Sequence, residues 1–196
     1  MSVIIVTVLI LMTEVDAVIF DLAFVFVLII GMQKIDVIII GAGAAGLMCA
    51  IEAAQRGRTV VVLERANKAG RKILMSGGGR CNFTNLHVSA DNFISHNPHF
   101  CRSALSRYSQ HDFIEMVERH RIPYFEKTLG QLFCRRKSLD IVQMLLFECE
   151  RYHADIRYKV SVDGVAINES GEFVVDTSQG RFVAASCVVA SGGLTV

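Results

Sequence analysis

The feature that most constrains this chain is a glycine spacing with strand-like sequence ahead of it and helix-like sequence behind it. Gly41-Ala42-Gly43-Ala44-Ala45-Gly46 matches GxGxxG. Before it, Ile35 to Ile40 is almost wholly apolar and β-branched, as in a parallel strand buried on both faces. Residues 47–55 are rich in Ala, Leu, Met and Ile, and Arg56-Gly57 adds a C-terminal cation and a C′ glycine, so a helix is expected there. Residues 59–63 form a second apolar run ending at Glu64, eighteen positions past Gly46. GxGxxG alone is common by chance. Flanked in this way it predicts a right-handed βαβ unit that binds an adenine dinucleotide.

Each residue of the motif has a physical task. Gly41 permits the tight turn out of the strand, Gly43 removes a side chain from the path of a pyrophosphate, and Gly46 lets the helix approach the sheet. The unpaired N–H groups of the first helical turn and the positive end of the helix dipole face the phosphate anion. Glu64 can accept hydrogen bonds from a ribose diol and repels a 2′-phosphate. Spacing does not choose between FAD and NAD, and Arg65 beside Glu64 keeps NADP open.

Beyond the βαβ unit, residues 70–85 read as a polar, glycine-rich connection. Residues 98–121 read as helix in two pieces ended by Ile122-Pro123, and a further helix begins at an N-cap Ser138, with Val142, Leu145, Leu146, Cys149 and Tyr152 along one stripe. From Asp155 the period switches to two. Strands are expected at 156–162, 165–168, 172–177 and 181–184, then a buried strand at 187–190 followed by Ser191-Gly192-Gly193. The fold class is therefore α/β, Rossmann-like, with a parallel central sheet and a small antiparallel β-meander.

Composition excludes little. A net charge of +1 gives no global case for nucleic acid or an acidic membrane. Six scattered cysteines without a CxxC pair argue against a zinc site and point to free thiols in a reducing cytoplasm, mostly packing as small apolar residues. No metal site is expected. The histidines follow no ligand spacing and read as surface or loop residues. Arg135-Arg136-Lys137 reads as a solvated helix-entry turn rather than an RNA contact. Residues 1–31 are strongly apolar but interrupted by Glu14, Asp16 and Asp21, and no Lys or Arg precedes Lys34. Their uncharged runs are too short to span a ~30 Å hydrocarbon core, and the basic start of a signal peptide is missing. They read as an extension ahead of a natural start at Met32, with a membrane tether as the alternative.

The segment that chooses the cofactor is Gly70-Arg71-Lys72-Ile73-Leu74-Met75-Ser76-Gly77-Gly78-Gly79-Arg80-Cys81-Asn82-Phe83-Thr84-Asn85. Three successive glycines allow close backbone approach and an anion-binding arrangement of N–H groups, while Arg71, Lys72 and Arg80 supply positive charge. With the motif before it, this segment resembles the start of the BaiN-like, aminoacetone-oxidase-like group of NAD(P)/FAD-dependent oxidoreductases, which have a glutathione-reductase-type flavin fold. Residues 130–134, the helix at 141–152 and residues 188–193 agree. The resemblance implies FAD contacts at residues 41–46, Glu64, Arg71, Lys72 and the loop Gly77, Gly78, Gly79, Arg80. It also implies a backbone contact to adenine near Val160 and a turn at Ser191 and Gly192.

The implied chemistry is hydride transfer between NAD(P)H and an organic acceptor, such as an activated carbon–carbon double bond in a steroid-like substrate or an RNA pyrimidine. A small-molecule substrate is expected, and net charge gives RNA no support. Catalytic residues and oligomeric state stay unassigned; Cys81, beside the glycine loop, reads first as a packing residue. Ser191 stands where the group usually has Thr, and Cys134 where many members have Pro. Members run to about twice this length, so residues 32–196 read as an incomplete FAD-binding domain lacking a substrate domain and a second glycine-rich segment. Weak FAD retention and little turnover are expected of it. An NAD(P)-dependent reductase without flavin, and an inactive membrane-tethered nucleotide-binding module, are the competing readings.

Overall fold

A computed structural model describes residues 35–193; the expectations for residues 1–31 lie outside that range. A six-stranded sheet runs in the order β6-β2-β1-β9-β8-β7. Its centre is β1 (Ile35–Ile40), flanked by β2 (Val60–Glu64) and β9 (Gly180–Val189), both parallel to it. β6 (Asp155–Tyr158) adds a fourth parallel strand beside β2, while β8 (Phe173–Thr177) and β7 (Val162–Ile167) continue the other side as an antiparallel ribbon. The apolar runs form strands because they have core on both faces. Ile39, Val60 and Val62 pack on one side, and Ile38, Val61 and Leu63 on the other.

The crossover helix α1 (Ala44–Gln55) buries Leu47, Ala50, Ile51 and Ala54 against the first face. Helix α5 (Leu139–Arg151) covers the same face with Ile141, Val142, Met144, Leu145 and Cys149. Each large side chain so buried contributes roughly 1.5–3 kcal/mol of transfer free energy. Between β2 and α5 lie α2 (Arg71–Met75), a single 3-10 turn over Ser76–Gly79, β3 (Asn82–Asn85), a second such turn at Ala90–Asn92, α3 (Arg102–Arg107), α4 (Gln110–Arg119), β4 (Tyr124–Glu126) and β5 (Gln131–Cys134). Strands β3, β5 and β4 form a separate antiparallel sheet.

Several expectations are corrected. The helix starts at Ala44, three residues early, because Gly43 in extended conformation already acts as its N-cap. Ser138 flanks α5 but does not cap it; its hydroxyl donates to the Leu74 carbonyl at 3.0 Å, tying α5 to α2. The strand expected at 156–162 breaks at Lys159, whose φ of 58° ends the parallel pairing and sends the chain into β7. The strands expected at 181–184 and 187–190 are one strand. β9 pairs with β8 through Gly180–Ala184 and with β1 through Ala184–Val189, so the meander is part of the central sheet. The connection at 70–85 is largely ordered structure, and the small sheet it enters has no long alternating run to announce it.

Among the described residues, no helix is long and apolar enough to cross a membrane, and no cluster of His, Cys, Asp and Glu could hold a metal ion. Of the histidines, His120 is not a plain surface residue. Its Nε2 lies 2.6 Å from Oε1 of Glu148, a carboxylate only 3% exposed, and Arg151 approaches the same oxygen at 3.6 Å.

Candidate functional site: a dinucleotide cradle

The turn from β1 into α1 cannot carry side chains at two of its glycines. A Cβ on Gly46 would lie 1.9 Å from the Gly41 carbonyl oxygen, and one on Gly41 (φ +108°) 2.6 Å from the Ala190 carbonyl oxygen. The helix, the turn and the end of β9 are thus in backbone contact. Gly43 differs, since a Cβ there would meet nothing within 4 Å. Its bareness leaves open space in front of the α1 N-terminus. No side chain caps that terminus and no acid occupies its first turn, so the dipole and donors there are uncompensated.

Glu64, ending β2, is fixed by two main-chain donors. Its Oε2 accepts from Ala42 N–H at 2.8 Å and its Oε1 from Ala66 N–H at 2.7 Å. Each oxygen keeps a further acceptor direction, and the carboxylate borders the glycine turn. Val160 is 1% exposed, packs with Ile38, Val61 and Leu63, and donates its N–H to the Glu64 carbonyl at 3.0 Å. Only its own carbonyl is left for a base.

The chain from Gly70 returns to the turn. Gly70 (φ +70°) donates to the Ala42 carbonyl at 2.8 Å, which starts α2 beside the motif. Arg71 is exposed. Lys72 reaches across to donate its ammonium to the Gly193 carbonyl, beside Gly192 (φ +74°). Ser191 comes close to Gly41 through its Cα. Residues 41–46, 64, 70–72 and 190–193 therefore converge at the carboxyl ends of β1, β2 and β9, where open α/β sheets bind ligands.

The loop Gly77, Gly78, Gly79 takes three successive positive φ values of 58°, 65° and 84°. A Cβ on Gly77 would strike Asn82 N and the Phe133 ring, both at 2.8 Å, whereas Gly78 and Gly79 face open space. Arg80 is exposed at the loop's end. Cys81, 5% exposed, packs in the main core, and burial raises its thiol pKa despite a hydrogen bond with Ser76. Gly70 and Ala66 were invisible as site residues beforehand, because both act through main-chain N–H groups; the glycine just ahead of α2 was the one available signal for Gly70.

Fold and geometry together define a domain of the Rossmann dinucleotide-binding class. The chain belongs to the HI0933-like protein Rossmann domain family, whose model matches residues 35–196. It is 50% identical over 165 residues to the ribosomal RNA dihydrouridine synthase of Escherichia coli, covering 84% of this chain and 41% of that protein. It is 31% identical over 159 residues to the 3-dehydro-bile acid delta(4,6)-reductase of Clostridium scindens, covering 79% and 38% respectively. Among solved structures, the 3-ketosteroid-delta4-(5alpha)-dehydrogenase of Rhodococcus jostii superposes with a TM-score of 0.59 at 16% identity, over 83% of this chain and 46% of that one. This chain spans about two fifths of the length of the curated relatives named here.

Proposed function

We propose that the chain is the FAD-binding part of a flavin-dependent reductase that transfers hydride from NAD(P)H to an activated carbon–carbon double bond, a pyrimidine ring in RNA being the favoured substrate. The observation that carries the cofactor reading is the convergence of the uncapped α1 N-terminus, the bare Gly43 and the backbone-anchored Glu64 at one sheet edge. The residues present fit the group. The first-turn amides at Ala44 and Ala45 would hold the pyrophosphate, and Glu64 would accept the ribose hydroxyls. The carbonyl at Val160 would face the adenine, and the open backbone at Gly78 and Gly79, with Arg71 and Arg80, would border the flavin end. Lys72 would act by holding the 191–193 turn in place. When bound, FAD supplies the hydride chemistry, and the protein supplies orientation and charge. The substrate reading leans on the 50% identity to the Escherichia coli RNA enzyme; the bile-acid reductase at 31% supports a steroid-like enone as the second reading.

Flavin titration of the purified full chain tests the cofactor. We expect quenching of FAD fluorescence on binding, weakened at least tenfold in Glu64→Gln, which keeps the size but loses the charge that two N–H groups and the ribose require. A chain that stays colourless in excess FAD sinks the cofactor reading.

A further inference from the structure

The outer face of the small sheet carries a ridge that the cofactor site does not use. Phe125 on β4 and Phe133 on β5 are direct cross-strand partners, with ring centroids 6.1 Å apart at an interplanar angle of 31°. Two positions along the same face from each ring stands a cation. Lys127 places its ammonium 5.1 Å from the Phe133 centroid, and Arg135 places its guanidinium 5.9 Å from that of Phe125. Arg135 is steadied by donating Nε–H to the Tyr124 carbonyl at 3.2 Å. The ridge adjoins the glycine loop. The Phe133 ring occupies the space a Gly77 side chain would need, Cys134 N–H donates to the Arg80 carbonyl at 2.9 Å, and Ser138 N–H donates to the Gly79 carbonyl at 2.8 Å. Arg80, Lys127, Arg135, Arg136 and Lys137 are exposed here, and only Arg136 has a carboxylate partner among the described residues, Asp140 at 3.0 Å. The acid on β4, Glu126, faces the other side of the sheet, where it accepts from Gly130 N–H.

We infer that this face docks single-stranded RNA, a base stacking at Phe125 while phosphates lie along Arg135, Lys137, Lys127 and Arg80, so that the neighbouring base reaches the glycine loop. The inference rests on the RNA reading above and adds the surface that would deliver the substrate. Phe133 is buried and Phe125 half-buried, so the sheet face offers one partly exposed ring flanked by cations, which suits unpaired RNA with its π-faces and phosphates together. A steroid offers no phosphate to meet Lys127, Arg135 and Lys137, which have no carboxylate partner among the described residues. The concentration of charge is local, which is why a chain of net charge +1 conceals it.

Fluorescence anisotropy of the full chain with a labelled single-stranded RNA of about 12 nucleotides tests the proposal. For Arg135→Gln/Lys137→Gln, we expect weaker binding and a salt dependence shallower by about 1.4 in log K against log salt, about 0.7 per lost phosphate contact. For Phe125→Leu, which keeps apolar bulk on the sheet, we expect about tenfold weaker binding with the salt slope unchanged. The charge-matched control Arg157→Gln/Arg181→Gln, on other strands, should bind as wild type does. Equal binding and slope in the ridge variants and wild type would overturn the docking face and leave the RNA reading standing. No RNA binding by the wild-type chain would overturn both. A duplex bound as tightly as the single strand, indifferent to Phe125→Leu, would overturn the stacking and with it the proposal. FAD quenching on the same samples reports the cofactor site separately.

Discussion

At the scale of single residues, the cradle depends on atoms that are missing. Gly46 sits where any Cβ would lie 1.9 Å from a backbone carbonyl, a contact relieved only by moving α1 away from the β1 turn. Gly46→Ala is therefore expected to destabilise the chain by about 1–3 kcal/mol, the range for overpacking a close contact. Urea unfolding should show a lower midpoint at constant slope. Gly43 makes a contrasting case in the same motif, since its Cβ would meet nothing. Its Ala variant should fold like wild type yet bind FAD less well, because the methyl enters the space proposed for the pyrophosphate. Both glycines were legible from spacing alone. Glu64 was too, although not the pair of main-chain donors that hold its carboxylate, because main-chain contacts leave no trace in residue identity.

At the scale of elements, helix ends and strand breaks were the least legible features. α4 begins with a reciprocal cap in which Ser109 N–H and its hydroxyl both donate to Asp112 Oδ2 at 2.6 Å. These hydrogen bonds from Ser109, the side-chain one first, hold the Asp112 carboxyl below its ordinary range. A depressed carboxyl adds stability above the unfolded-state pKa of about 3.9, and that contribution is lost as pH falls through the lower folded value. Asp112→Asn should thus be less stable than wild type at pH 7, with a gap constant down to about pH 5 and closing at more acid pH, as thermal melts across pH would reveal. Ser138, by contrast, resembles a cap in sequence but spends its hydroxyl on Leu74, sixty-four residues earlier. Only a tertiary neighbour could have diverted it. The same holds at Lys159, where a single left-handed residue turns one expected strand into two.

At the scale of the whole molecule, one core joins the two sheets. Cys134 on the small sheet and Cys149 on α5 lie in the same buried cluster as Ile39 of β1 and Val60 and Val62 of β2. Burial, reinforced by Cys81 and Asp140, pushes the Cys134 thiol up to about 12; burial, with Glu148 nearby, does the same for Cys149. Neither thiol forms an appreciable thiolate at pH 8 while the core is intact. Iodoacetamide labelling at that pH should therefore spare both in the native chain and reach both at the same urea concentration, coincident with loss of helical circular dichroism. Labelling of Cys134 ahead of Cys149 would mean that the small sheet unfolds independently.

What sequence alone determined was everything set by short-range pattern: the βαβ unit, its glycines, its terminal acid, and the α/β class. These follow from periodicity and from positions where only hydrogen fits, which neighbouring residues dictate. The tertiary structure decided the rest. It drew Gly70 and Ser191 to the motif from as much as 150 residues away, tied Lys72 to the turn at Gly193, fused the meander to the central sheet through β9, and set Arg135 and Lys127 over two mutually tilted rings. Such contacts form only when burying apolar faces brings distant backbone into register, so no local window of residues encodes them.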